Sequence, residues 1–178
     1  IGLVFFSKSK RNVTPEQGEA TVKVLPQYVR VIALFVNESA ERIHEILSLV
    51  PIDVIQFHGD ETPEFCRQFA RPYIKAVRVQ NTVEVVAAMN QYQDGRAVLC
   101  EAYVEGEYGG TGQSFDWALL PESLNGHWVL SGGLTPENVA EAIRITGAKI
   151  VDISSGVESA AGVKSAEKMA QFIQNVQH

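Results

Sequence analysis

An α/β fold built on a parallel sheet is the fold class that the sequence predicts. Apolar runs rich in β-branched and aromatic residues recur along the 178 residues. They are short and nearly unbroken, as expected of strands that are covered on both faces. Segments with helical apolar spacing separate most of them. No linker or low-complexity stretch divides the chain, so residues 1–178 are predicted to form a single domain.

The individual elements follow from these runs in chain order. The predicted strands are 1–6, 28–36, 52–57, 73–79, 96–101, 128–131 and 149–154. Thr14 stands before Pro15, and Thr135 stands before Pro136, which is the N-cap and first-turn proline signature of a helix start. The other predicted helices are 39–50, 62–70, 82–92, 117–120 and 165–176.

The position of the glycine and serine clusters decides between two parallel architectures. An open doubly wound sheet normally has its glycine-rich loop after the first strand. Here the clusters 109–112, 131–133 and 154–156 lie in the last 70 residues, and the second and third directly follow predicted strands. Barrels commonly bind phosphate on the loops after strands seven and eight. We therefore predict a (βα)8 TIM barrel with seven of its eight units, units two to eight, in this chain.

Composition limits the classes of function. A net charge of -6 and a pI near 5.2 leave no broad cationic surface for nucleic acid. No apolar stretch approaches the roughly 18 residues that span a bilayer. Cys66 and Cys100 are too few for a disulfide framework, and no Cys/His spacing resembles a metal site. We expect a cytoplasmic protein that binds a small anionic ligand, without metal, membrane or nucleic acid.

Six short motifs carry a resemblance over the whole chain. They are Ser-Lys-Ser-Lys-Arg at 7–11, Leu-Phe-Val-Asn at 34–37, Gln-Phe-His-Gly at 56–59, Tyr-Gly-Gly-Thr-Gly at 108–112 with Phe-Asp-Trp at 115–117, Leu-Ser-Gly-Gly-Leu at 130–134, and Asp-Ile-Ser-Ser-Gly-Val-Glu at 152–158. In order and spacing the chain resembles the phosphoribosylanthranilate isomerase family. The resemblance implies a (βα)8 barrel of tryptophan biosynthesis that converts N-(5-phosphoribosyl)anthranilate into 1-(2-carboxyphenylamino)-1-deoxyribulose 5-phosphate. This Amadori rearrangement needs a general acid and a general base, and no metal or organic cofactor.

The resemblance places the general acid at Glu101, the end of the predicted strand 96–101. The family usually has Asp there, and the longer side chain can displace the carboxyl by about an angstrom, enough to cost about 100-fold in rate. The family's base is a cysteine in a Lys-x-Cys-Gly motif, which does not occur in this sequence. Cys66 lies in a predicted helix, and alternation puts Cys100 on the other side of its strand from Glu101. We expect both cysteines to have packing roles, so no general base is identified in the chain.

The resemblance also assigns the substrate contacts. Arg11 pairs with the anthranilate carboxylate, a task suited to a planar guanidinium. His58 closes a predicted strand and resembles a family active-site histidine, while Asp152 ends the last strand and binds the sugar hydroxyls. The residues predicted to hold the terminal phosphate are Ser131, Gly132, Gly133, Ser154 and Ser155. The residues predicted to form a mobile lid beside Glu101 are Gly109, Gly110 and Gly112.

Two other functions compete with this interpretation. A truncated barrel that binds phosphorylated ligands without turnover is the alternative that the missing base favours. Another phosphate-binding barrel enzyme would need strand-end His and Asp around a metal, or a strand-end lysine, and Lys75 lies early in its strand. A barrel that lacks one unit exposes two strand edges, which predicts either association into a homodimer or instability.

Overall fold

A computed structural model describes residues 1–102, 114–121 and 127–177. Six strands follow one another in a sheet in sequence order: β1 (Gly2–Val4), β2 (Ile32–Phe35), β3 (Val54–Phe57), β4 (Tyr73–Val79), β5 (Ala97–Ala102) and β6 (Trp128–Leu130). An α-helix lies between each two successive strands from β1 to β5. The pairings of β1 with β2, β2 with β3, β3 with β4, and β5 with β6 are parallel. This arrangement confirms the predicted parallel α/β class. The chain divides into two compact units, Ile1–Lys75 and Ala76–His178, which we describe in turn.

The first unit alternates strands and helices from its first residues. Its elements are β1 (Gly2–Val4), α1 (Pro15–Lys23), β2 (Ile32–Phe35), α2 (Ala40–Leu49), β3 (Val54–Phe57), α3 (Pro63–Arg67) and the start of β4 (Tyr73–Val79). The predicted helix start at Thr14 is confirmed. Its hydroxyl accepts from the Gln17 N–H, and the Gln17 side chain accepts from the Thr14 N–H, which is a capping box.

An aromatic cluster forms the core of this unit. Phe57 on β3 has no exposed surface, and its ring lies 6.0 Å from Phe65, 5.8 Å from Phe69 and 6.1 Å from Tyr73. Burying each such side chain contributes about 1.5–3 kcal/mol. The short helix α3 is therefore fixed to the sheet at the position where β3 ends.

A buried ion pair in the first unit joins the ends of β2 and β3 to the first half of β4. The Lys75 Nζ donates to the Gly59 carbonyl at 2.6 Å and to the Phe57 carbonyl at 3.3 Å. It also lies 3.4 Å from the Glu61 carboxylate, and the two side chains are 4% and 3% exposed. Glu61 in turn accepts from the Asn37 N–H at 2.8 Å. Lys75 and Glu61 therefore tie the ends of β2 and β3 to β4.

The second unit continues the alternation and ends in a hairpin and a helix. After the remainder of β4 its elements are α4 (Thr82–Gln91), β5 (Ala97–Ala102), a 3₁₀ turn (Trp117–Leu119), β6 (Trp128–Leu130), α5 (Val139–Thr146), a second 3₁₀ turn (Ser155–Val157), β7 (Glu158–Ala160), β8 (Val163–Lys164) and α6 (Ala166–Val176). Its core includes Leu99 and Leu130 from the sheet and Val139 and Ala142 from α5, all fully buried.

Three features of this unit differ from the sequence-based expectations. The predicted strand 149–154 is reduced to a single parallel bridge between Val151 and Leu130. Beyond this bridge, β6 ends at Leu130 and the chain turns at Gly132, whose φ is +87°, so β6 offers no extended residue for pairing with 152–154. Thr135 and Asn138 cap each other as a helix start requires, but α5 begins only at Val139. The antiparallel β7–β8 hairpin was not predicted.

Broader properties can be stated for the described part of the chain. There, no helix is both long enough and apolar enough to cross a bilayer. Within the same ranges, no group of three or more His, Cys, Asp and Glu residues is arranged to hold a metal ion. The assignment of residues 1–178 to one domain stays a prediction.

Replacing Lys75 by Met should destabilise the protein by about 3–5 kcal/mol, because it leaves the Glu61 charge buried without its cation. Urea denaturation followed by circular dichroism measures the loss. The combined change Lys75→Met with Glu61→Gln should recover part of it, since both charges are then removed. Arg144→Met, which breaks an exposed pair with Glu141, is the control and should leave the midpoint unchanged. Equal midpoints for Lys75→Met and the control would contradict a structural role for the pair.

Candidate active site

Arg11 lies on the loop that leaves β1, and that loop folds back along the strand. The Val13 N–H donates to the Val4 carbonyl at 2.9 Å, and Val4 and Asn12 form a parallel bridge. The Arg11 N–H donates to the Ser9 hydroxyl at 3.1 Å. Arg11 is therefore half-buried close to the carboxyl end of β1, which is the end where parallel α/β proteins bind ligands.

His58 occupies the first position after β3. Its N–H donates to the Phe35 carbonyl at 2.9 Å, and the residue is 8% exposed. The carbonyls on either side of it, those of Phe57 and Gly59, both accept from Lys75. The buried cation therefore fixes the backbone that carries His58.

Three residues of this region were missed by the sequence reasoning as parts of the site. Asn37 is in the left-handed region with φ of +49°, and its side chain accepts from the Asp60 N–H at 2.7 Å. Lys75 and Glu61 form the ion pair beneath the same loop. A signal for them was present, because a lysine inside the apolar run 73–79 must find a buried acceptor. The sequence could not say which acceptor it would find.

Glu101 and both cysteines are buried in the interior. Glu101 is 4% exposed on β5, where every residue is buried, and Cys100 and Cys66 have no exposed surface. Burial raises the pKa of the Cys100 thiol to about 12. This thiol therefore stays protonated at neutral pH and is unsuited to proton abstraction. The buried position is consistent with the packing role expected for Cys100.

The loop after β6 begins beside Glu101. The Ser131 N–H donates to the Cys100 carbonyl at 2.9 Å, and Ser131 is 8% exposed. Gly132 and Gly133 both have positive φ, +87° and +61°. A Cβ on Gly132 would lie 2.7 Å from the Ala102 nitrogen and 3.4 Å from the Glu101 Cα. Only glycine allows this loop to approach the end of β5 so closely.

The loop that contains Ser154 and Ser155 packs against the loop after β6. A Cβ on Gly156 would overlap the Leu134 carbonyl oxygen. Asp152 joins the two loops a second time, because its N–H donates to the Leu130 carbonyl at 2.8 Å and its carboxylate accepts from the Ser131 hydroxyl at 3.1 Å. The structure therefore brings together the residues predicted to hold phosphate: Ser131, Gly132, Gly133, Ser154 and Ser155. The predicted lid residues Gly109, Gly110 and Gly112 lie outside the described residues.

Burial and neighbouring groups perturb the ionisation of the Asp152 carboxyl. Burial raises the pKa of its carboxyl above the ordinary value of 3.8, while the Ser131 hydrogen bond and the Lys164 charge act in the opposite direction. Of the two oxygens, Oδ2 accepts from Ser131. The carboxylate is therefore held in a fixed direction at the edge of the serine and glycine loops.

The location of these loops defines the class of protein. Parallel (βα)8 barrels bind phosphorylated ligands on the loops that follow their last two strands, and here those loops pack on each other beside a buried glutamate. A family model described as N-(5'phosphoribosyl)anthranilate (PRA) isomerase matches residues 1–175. The chain therefore belongs to this isomerase family.

Individual relatives agree with that assignment. The N-(5'-phosphoribosyl)anthranilate isomerase of Neisseria meningitidis serogroup B is 56% identical over 173 residues, which are 97% of this chain and 83% of that protein. The crystal structure of phosphoribosyl anthranilate isomerase from Thermotoga maritima is 36% identical with a TM-score of 0.86, covering 99% of this chain and 86% of that one. These neighbours confirm the predicted (βα)8 fold class.

Two further solved structures concern ligand and assembly. One phosphoribosyl anthranilate isomerase, 35% identical with a TM-score of 0.81, is described in complex with reduced 1-(o-carboxyphenylamino)-1-deoxyribulose 5-phosphate, and the match covers 99% of this chain and 86% of that one. The other, with the same coverage, 34% identity and a TM-score of 0.81, is described as monomers generated from the dimeric enzyme of Thermotoga maritima.

Gly132→Ala should destabilise the protein more than Gly147→Ala. Both glycines have positive φ, so both substitutions carry a strain of about 1–2 kcal/mol, but a Cβ at Gly147 meets nothing within 4 Å. Only at Gly132 must the added carbon also push away the backbone of β5. Thermal unfolding of the two variants measures the difference, and equal melting temperatures would show that the close approach to Ala102 is unimportant.

Asp152→Asn should raise stability at neutral pH. A folded-state pKa above 3.8 means that the folded state holds this proton more tightly than the unfolded state, so stability falls as pH rises from that value through the raised pKa. The asparagine removes this fall. Asp53→Asn is the opposite control, because the Val31 N–H lowers the pKa of Asp53 and its contribution is present above 3.8. Urea midpoints from pH 3 to pH 8 test both signs; a parallel shift of the two variants would contradict the assignment.

Proposed function

We propose that this chain is the isomerase of its family, catalysing the Amadori rearrangement of N-(5-phosphoribosyl)anthranilate to 1-(2-carboxyphenylamino)-1-deoxyribulose 5-phosphate. The observation that carries the proposal is the family match over residues 1–175. It is supported by curated relatives named as this isomerase and by a neighbour that holds a reduced form of the reaction product. The alternative of a barrel that binds phosphorylated ligands without turnover has no such support.

Glu101 is proposed as the general acid that protonates the furanose oxygen and opens the ring. Its support is the end of β5 as a location, its burial at 4% exposure and the contact of Gly132 with the adjacent backbone. An acid held away from bulk water delivers its proton to the substrate instead of to solvent. We assign the role of general base to no residue of this sequence, because the sequence does not contain the Lys-x-Cys-Gly motif.

The phosphate of the substrate is proposed to bind where the last two loops meet. Backbone N–H groups and hydroxyls of Ser131, Gly132, Gly133, Ser154 and Ser155 supply donors that suit an anion. Asp152 is proposed to accept hydrogen bonds from the sugar hydroxyls, and its fixed direction beside Ser131 supports this. In the first unit, Arg11 is proposed to pair with the anthranilate carboxylate and His58 to contact substrate. Gly109, Gly110 and Gly112 keep their proposed role as a lid.

The assembly and location of the protein are further parts of the proposal. The Thermotoga maritima relative is described as dimeric, and we propose that two copies of this chain also associate. A cytoplasmic location fits a biosynthetic enzyme whose substrate is a phosphorylated metabolite. No cofactor or metal enters the proposed acid-base chemistry.

Glu101→Gln should lower turnover by about 10²–10⁴-fold, the contribution of a positioned general acid, while the fold is retained. The measurement is the loss of anthranilate fluorescence with freshly made N-(5-phosphoribosyl)anthranilate. Glu141→Gln, which removes an exposed charge on α5, is the control and should keep the activity of the unchanged chain. A Glu101→Gln variant of undiminished rate would eliminate Glu101 as the acid.

A further inference from the structure

Lys164 on the β7–β8 hairpin reaches back to the loop that contains Ser154. Its Nζ donates to the Ser154 carbonyl at 2.7 Å, to the Ser154 hydroxyl at 3.3 Å and to the Glu158 carboxylate at 3.0 Å. An ammonium group has three donors, and these contacts use all three. The charge is therefore fixed in one place although the side chain is 38% exposed.

Ser154 depends on Lys164 for the position of its side chain. It precedes the 3₁₀ turn Ser155–Val157, but its hydroxyl does not cap that turn. The carbonyl and the hydroxyl of Ser154 instead both point at the Lys164 amine. The lysine therefore fixes the orientation of the peptide and the hydroxyl with which the loop begins.

The hairpin that carries Lys164 has two further contacts with its surroundings. The Ser165 N–H donates to the Val157 carbonyl at 2.8 Å, and the Lys168 Nζ donates to the Glu158 carbonyl at 2.9 Å. Glu158 is a nearly buried carboxylate, with 6% of its side chain exposed. A phosphate dianion placed on this loop would meet the negative charge of Glu158 unless a cation stood beside it.

We infer that Lys164 is a positioning residue for phosphate: it fixes the Ser154 peptide and hydroxyl at the start of the phosphate loop and neutralises Glu158, without itself being part of the catalytic machinery. The inference rests on the proposed function, because it concerns the same phosphate loops. The positive charge of Lys164 also acts on Asp152, where it opposes the effect of burial on the carboxyl pKa. No motif in the sequence assigned Lys164 a role, since it lies on a hairpin that was not predicted.

The test is the affinity of Lys164→Met for reduced 1-(o-carboxyphenylamino)-1-deoxyribulose 5-phosphate, measured by isothermal titration calorimetry on the full chain. We expect Kd to rise about tenfold, which corresponds to the loss of one charge-assisted hydrogen bond. Affinity for the same compound without its phosphate should stay unchanged. Lys168→Met is the matched control: it removes a lysine that donates to the same hairpin at the Glu158 carbonyl instead of at Ser154, and its Kd should change by no more than about twofold.

A second variant distinguishes an effect of the unpaired Glu158 charge on affinity from an effect of misfolding. In Lys164→Met with Glu158→Gln, the carboxylate leaves together with the cation, so affinity should return to within about threefold of the unchanged chain. Lys164→Arg keeps the charge and should retain most of the affinity. Melting temperatures of all variants show whether each one is folded.

These titrations distinguish a phosphate-positioning role of Lys164 from a purely structural role. Equal losses in Lys164→Met and Lys168→Met, or equal losses for the compounds with and without phosphate, would reduce Lys164 to a structural residue and overturn the inference. If the unchanged chain binds the ligand and Lys164→Met binds it equally well, the inference about Lys164 is overturned and the proposed function is not. If the unchanged chain binds neither compound, the proposed function fails, and the inference fails with it.

Discussion

The hydrogen-bond ladder between parallel strands is the constraint on which the rest of this structure depends. His58, Ser131 and Asp152 each occupy the position just beyond a paired residue. Each donates its backbone N–H to the preceding strand: to Phe35 at 2.9 Å, to Cys100 at 2.9 Å and to Leu130 at 2.8 Å, respectively. Backbone N–H groups in the interior must be paired. The sheet therefore sets the direction in which the chain leaves each strand. The proposed chemistry is therefore built from the last rung of each pairing.

Two features permit the backbone to pack closely at these strand ends. Glycine avoids steric overlap, and a buried lysine satisfies carbonyl groups. Gly132 and Gly156 stand where a side chain would collide with the neighbouring loop. In the first unit, Lys75 satisfies two carbonyls around His58 and pairs with Glu61 in the interior. A buried pair adds little net stability compared with apolar packing, but removing one partner is expensive. We interpret this pair as serving position more than stability, because it holds the backbone on either side of the candidate site residue His58.

Charged groups of the second unit also lie at the serine and glycine loops. Asp152 places a carboxyl group at the serine and glycine loops although burial raises its pKa and works against ionisation. Lys164 opposes that effect and pairs with Glu158 on the hairpin. Folding alone would favour a neutral residue at Asp152. We interpret the carboxyl group at this position as part of the proposed binding role, since its oxygens can accept hydrogen bonds from hydroxyl donors and an apolar residue cannot.

Much of the fold and part of the candidate site could be predicted from the sequence. Local signals were sufficient where a few neighbouring residues decide the outcome: the Thr14 capping box, the apolar strand β5 with its single carboxylate Glu101, and the glycine and serine clusters after the later strands. The motif order was sufficient for the family, which the match over residues 1–175 confirmed. The roles of the individual site residues stay predictions.

Contacts between distant positions could not be predicted in this way. The pairing of Lys75 with Glu61, the packing of Gly156 on Leu134 and the reach of Lys164 to Ser154 each depend on where the folded backbone brings a second segment. The strand expected at 149–154 forms one bridge, and it does not continue past Val151 because β6 ends at Leu130. The sequence by itself determined the elements, the fold class and the family, because these depend on local pattern and order. Only the tertiary structure decided which charges and carbonyls meet, because such contacts require the geometry of the assembled sheet.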